Sequence, residues 1–115
     1  MQARMPTPFE QRVYAAISRI PRGRVSTYKF VALAIGCASA QAVGQALRRN
    51  PYAPRVPCHR VIASDLTLGG FCGQRSGAAL ARKTRLLASE GVEFDDGKLK
   101  DPRRMYALGK KRAHG

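Results

Sequence analysis

The sequence predicts a mainly α, winged-helix-like helix-turn-helix domain of about four helices, finished by a small C-terminal β-hairpin. Three observations predict it. Apolar residues recur at helical spacing in separately capped stretches. Two of those stretches are short and joined by a few residues that include a glycine, as in a helix-turn-helix. Near the C-terminal end, VEF and KLK flank the turn residues DDG, which spells a hairpin.

The elements follow in order. In TPFEQRVYAAISRIP, Thr7 and Glu10 form a capping box with Pro8 at the first helical position. Phe9, Val13, Ala16, Ile17 and Ile20 share a face before Pro21 stops the helix. After the loop RGRVS, Thr27 caps TYKFVALAIG, whose end Gly36 marks. CAS makes a tight turn; Ser39 then caps AQAVGQALRRN, and Pro51 lies just past its end. From Asn50 to Gly77, prolines and glycines predict an ordered, irregular segment with one short extended piece in RVIAS. Ser76 is expected to cap a fourth helix, with Leu80, Leu86 and Leu87 inward and Gly91 at its end. One domain is expected over 1–115, its core spanning about 7–100 and its basic tail 102–115 frayed at the end.

A chain of 115 residues supports one core. Its 21 Lys and Arg against 7 Asp and Glu give a formal charge of +14, which points to an anionic partner, nucleic acid before a membrane surface. Cys37, Cys58 and Cys72 are odd in number, and no CxxC or HxxxH pattern accompanies them. A disulfide framework and a structural zinc site are therefore not expected, nor is any cofactor. Reduced thiols place the chain inside a cell, in the nucleus if eukaryotic, where KKR near the end would serve, or in the cytoplasm if prokaryotic. No apolar run approaches the roughly 20 residues of a membrane helix.

Two stretches bear on chemistry. In the third helix, Ala42 and Ala46 fall four apart, and Gly44 between them costs about 1 kcal/mol relative to alanine. Either the small face enters a narrow groove while Arg48 and Arg49 reach phosphates, or it packs on another helix and the arginines complement the helix dipole. In VPCHRVI, Cys58 precedes His59 and Arg60. An ordinary thiol has a pKa near ~8.5 and needs positive neighbours or a base to become a nucleophile. His59 would act through a water, with a carboxylate orienting its second nitrogen. The alternative is a buried, inert cysteine.

PCHRV, preceded by AVGQALRRNP and GRVSTY and followed by GGF and LLASEGV, resembles the O6-alkylguanine-DNA alkyltransferases, the methylated-DNA-protein-cysteine methyltransferases. The likeness runs from Phe9 to Val92. It implies that Cys58 accepts the alkyl group from O6 of a flipped guanine in one in-line displacement, irreversibly, so that each molecule reacts once. It implies that His59 passes a proton through water, that Glu90 orients His59, and that Asn50 braces the turn before the active site. Tyr28 matches the tyrosine that crowds the phosphate beside the lesion, and Phe71 and Cys72 stand where the family has a Tyr-Ser pair lining the guanine pocket. Lys29, Ala42, Ala46, Arg48 and Arg60 fall on the side assigned to DNA, with the helix-turn-helix in the minor groove.

Besides Phe71 and Cys72, the chain departs from the family in three further places. The turn between the two helices is shorter by a residue than in the commonest members. Gln41 stands where they carry an arginine that fills the space left by the base; it can hydrogen-bond the orphaned cytosine without bringing charge. The amino-terminal domain of longer members, and the zinc some of them bind there, are not expected. The partner implied is double-stranded DNA containing O6-alkylguanine, bound by a monomer. A second reading is an alkyltransferase-like protein, which recognises the lesion and hands it to nucleotide excision repair; those proteins usually carry Trp or Ala in place of Cys58. A third, a regulator reading the major groove, finds mainly two glutamines in AQAVGQALRRN to read base edges.

Overall fold

Local signals start each of the first three helices. In the computed structural model, which describes residues 5–53, 55–68 and 77–108, helix α1 spans Pro8–Ile17. Thr7 Oγ1 accepts from the Glu10 amide, and Glu10 Oε1 accepts from the Thr7 amide, both at 3.1 Å. The helix ends before Ile20, yet Ile20 still turns inward and is buried. Helix α2, Tyr28–Ala34, is capped by Thr27, and α3, Ala40–Arg48, by Ser39. Between them Gly36 takes φ +70° and the Cys37 amide donates to Ala32 O at 2.8 Å, a Schellman ending that turns the chain sharply.

The three helices enclose the main core, with Val13 and Ile17 of α1, Val31 and Ile35 near α2, and Val43 and Leu47 of α3. Tyr14 lies within it and donates its hydroxyl to Ala46 O at 2.8 Å, satisfying a polar group that burial would otherwise penalise.

Two ladders anchor the rest. Strand β1, Ser26–Thr27, pairs in parallel with β2, Val61–Ile62, Ser26 opposite Val61 and Thr27 opposite Ile62. The extended piece in RVIAS is therefore present, and its partner lies in the stretch RGRVS, read as loop. Helix α4, Ala78–Ser89, begins at Gly77, not at a side-chain cap on Ser76: Gly77 takes φ +76°, ψ −147°, a conformation only glycine adopts readily. Ser76 itself lies outside the described residues. Gly91, at φ +84°, ends the helix as expected.

Strands β3, Phe94–Asp95, and β4, Lys98–Leu99, form the expected hairpin. Asp96 and Gly97, at φ +52° and +82°, give it the twist of a type I′ turn. A second core cluster of Val25, Ile62, Leu87, Val92 and Leu99 joins this hairpin to α4 and β1–β2. Residues 102–108, assigned to the tail, are built into the fold: Val25 N donates to Arg104 O at 2.9 Å and Tyr106 N to Val25 O at 2.7 Å.

Candidate active site

The segment carrying Cys58 is held by short-range hydrogen bonds. Asn50 Oδ1 accepts from the Tyr52 amide and Asn50 Nδ2 donates to Val56 O, both at 2.9 Å. The Cys58 amide donates to the same Val56 carbonyl at 2.8 Å. Pro57, at φ −83° and ψ 67°, forms the inverse γ-turn that makes this bond possible. Cys58 then opens a single 3-10 turn, Cys58–Arg60, that runs directly into β2. Because β2 pairs with β1, the turn is pinned beside the Thr27 cap of α2, which brings Tyr28 toward the same region from 30 residues away in the chain. Cys58 is 6% exposed, so only a substrate inserted toward it could meet its sulfur.

His59 is more deeply buried, at 2%. Its Nε2 lies 3.0 Å from Glu90 Oε2. A carboxylate only accepts, so Nε2 carries the proton, and in the neutral ring Nδ1 is left as an acceptor. Nδ1 is buried and has no hydrogen-bond partner among the described residues. Burial pushes the His59 pKa below 6.5; the hydrogen bond and charge of Glu90 oppose this, and the charges of Arg60 and Lys83 reinforce it.

Glu90 is the C-cap of α4, where a negative charge opposes the helix dipole. Arg60 offsets this. Its Nε and Nη2 donate to the two carboxylate oxygens at 2.8 and 2.9 Å, while Nη1 donates to Ile20 O at 2.9 Å. Burial alone would raise the Glu90 pKa, but the hydrogen bonds from Arg60 and His59 prevail and hold it at about 2, against an ordinary 4.5.

Arg60, expected on the DNA side, is thus a correction. Its guanidinium faces inward because a buried carboxylate there requires a bidentate cation. Ala46 is a second: it is 2% exposed and belongs to the main core, packed where Tyr14 crosses from α1. The exposed side of α3 presents Gln41, Gln45 and Arg48, with Ala42 and Gly44 partly exposed. A Cβ at Gly44 would meet nothing within 4 Å among the described residues, so packing on another helix does not explain this glycine. Arg49 pairs with Glu10 at 3.5 Å, whereas Lys29 is exposed on α2. Phe71 and Cys72 lie outside the described residues.

Sequence reasoning missed Lys83. It is fully buried and donates Nζ to Val61 O at 2.8 Å and to Leu68 O at 2.6 Å, tying α4 to the end of the Cys58–Arg60 turn. A signal existed: Lys83 falls between Leu80 and Leu87 at helical spacing, on the inward stripe.

The geometry has counterparts elsewhere. Residues 8–92 match the family model described as 6-O-methylguanine DNA methyltransferase, DNA binding domain. Over 89 residues the chain is 45% identical to the methylated-DNA--protein-cysteine methyltransferase of Methanothermobacter thermautotrophicus, covering 77% of this chain and 47% of that protein. The constitutive enzyme of the same name from Bacillus subtilis is 45% identical over 71 residues, 61% of this chain and 43% of its own. The chain thus spans about half the length of the curated relatives it matches, or less. Among solved structures, S. pombe Atl1 in complex with damaged DNA containing O6-carboxymethylguanine superposes with a TM-score of 0.75 at 36% identity, covering 90% of this chain and 97% of Atl1. Mycobacterium tuberculosis OGT in complex with DNA superposes with a TM-score of 0.69 at 41% identity, over 76% of this chain and 51% of that one.

Proposed function

Because the chain belongs to the family of 6-O-methylguanine DNA methyltransferase DNA-binding domains, we propose that it repairs DNA by moving the alkyl group of O6-alkylguanine onto its own Cys58. The observation that carries this reading is the acceptor Nδ1 of buried His59, without a hydrogen-bond partner among the described residues, on the residue next to Cys58, with Nε2 fixed by Glu90. A ring held in that tautomer takes a proton at Nδ1, directly or through one water.

The guanine must first leave the stack, since its O6 substituent is out of reach inside the duplex. The Cys58 proton passes through water to His59 Nδ1, and the thiolate sulfur attacks the alkyl carbon. The carbon–O6 bond breaks as the carbon–sulfur bond forms, and its electron pair remains on the base. The proton returns from His59 to the base, giving guanine and an S-alkylcysteine. A thioether has no good leaving group, so each chain reacts once.

On the DNA side, Gln41 and Arg48 extend from the exposed face of α3, with Lys29 and Tyr28 at the start of α2. The open space at Gly44 supports close approach of that helix to a narrow groove. Gly44→Ala is therefore expected to stabilise the free protein by about 1 kcal/mol while weakening duplex binding. Thermal unfolding and a duplex titration check the two signs together; stabilisation with unchanged affinity would remove Gly44 from the interface.

The direct test is mass. After incubation with a duplex containing O6-methylguanine, the intact chain is expected to gain one methylene, mapped to Cys58, and Cys58→Ala to gain none. One observation favours a second reading, recognition without transfer: Atl1, solved with damaged DNA containing O6-carboxymethylguanine, superposes on this chain with a TM-score of 0.75 at 36% identity. Tight, lesion-selective binding with no change in mass would establish that reading instead.

A further inference from the structure

The family match ends at residue 92, yet the segment after the hairpin returns to the backbone that carries Glu90. Arg104 donates Nη1 to Gly23 O at 3.1 Å. A Cβ at Gly23 would come within 3.3 Å of both Arg104 Nη1 and Glu90 O, and a Cβ at Gly91 within 3.4 Å of Arg104 Nη2. Both glycines have positive φ, +87° and +84°, so two left-handed turns close on one guanidinium. The backbone of Arg104 is itself tied to Val25, and Met105 packs against the second core cluster.

We propose that Arg104 is a positioning residue for the His59–Glu90 pair. Its guanidinium joins the Gly23 turn to the last turn of α4 and so sets where the Glu90 carboxylate meets His59 Nε2. Glu90 is the C-cap, the part of a helix most prone to fray, and the Gly91 that follows it lies against the Arg104 guanidinium. The inference rests on the proton relay proposed above.

The test compares Arg104→Met and Arg104→Lys with Arg103→Ala, a neighbouring arginine whose side chain is 90% exposed. Three quantities are read: the single-turnover transfer rate at saturating O6-methylguanine duplex, the duplex affinity, and the His59 Nε2 proton resonance of the protein without DNA. Arg104→Met is expected to slow transfer by about 10- to 100-fold, to change affinity by less than about twofold, and to broaden or shift the Nε2 proton. Arg104→Lys, which keeps a cationic donor, should recover part of both the rate and the resonance. Arg103→Ala should alter affinity alone. A wild-type resonance and rate in Arg104→Met, or a response matching that of Arg103→Ala, overturns the proposal. If Arg104→Met does not fold, Arg104→Lys decides: an intermediate resonance supports the proposal and an unaltered one refutes it. If the wild-type chain transfers no methyl group, the transfer reading fails separately, and the His59 resonance still decides the role of Arg104.

Discussion

Glu90→Ala is expected to slow methyl transfer by about 100-fold or more and to destabilise the fold by about 3 kcal/mol. Both effects come from one carboxylate. Without it, His59 Nε2 loses its acceptor at 3.0 Å and the ring is free to exchange tautomers, so Nδ1 is no longer reserved for the incoming proton. Arg60 loses both of its carboxylate contacts and becomes a partly buried cation that keeps its hydrogen bond to Ile20 O. Glu90→Gln separates the two roles. The amide oxygen can still accept from one donor, but the charge opposite Arg60 is gone, and an NH2 group aimed at Nε2 favours the wrong tautomer. Gln is therefore expected to recover stability more than rate. Urea unfolding and single-turnover transfer measured on the same preparations check this. A Glu90→Ala variant that transfers at the wild-type rate would remove the relay from the mechanism.

What could be read from the sequence was what neighbours in the chain decide. The Thr7–Glu10 box, the Thr27 and Ser39 caps, the Gly36 and Gly91 endings and the Asp96–Gly97 turn involve residues a few positions apart, and all of them form. The grouping of Cys58 with His59 was legible for the same reason, and the pairing of His59 with Glu90 came only through the family resemblance.

The errors share a different cause. Whether Arg60 faces DNA or a buried carboxylate depends on Glu90, 30 residues away. Whether Ala46 faces a groove or the core depends on Tyr14 of α1, 32 residues away. The parallel pairing of β1 with β2 uses strands of two residues, too short to show alternation, and is fixed by tertiary packing. Ser76 was a chemically reasonable cap, but the chain enters α4 through a conformation that glycine alone tolerates, and the start moved to Gly77. The site is thus readable as a list of reactive residues, while its assembly is written in contacts between distant segments.

Acid is expected to unfold this chain in two stages that act in the same direction. His59 has a folded pKa below 6.5, so between that lowered value and 6.5 the unfolded chain binds more protons than the folded one. Stability therefore falls as pH drops below 6.5. Glu90 adds the second stage: its contribution is complete above the ordinary 4.5 and is lost as pH falls toward about 2. Transfer should follow only the first group. Because His59 stays neutral in the folded state below 6.5, the acid limb of the transfer rate is expected to have its midpoint below that pH. Glu90→Gln should flatten the stability loss between pH 4.5 and 2, since the titrating group is gone. Urea unfolding at a series of pH values, with wild type and Glu90→Gln in parallel, separates the two stages. A wild-type stability that is level from pH 7 to 3 would show that neither ionisation is coupled to folding, and the charged arrangement around Glu90 would then have to be redrawn.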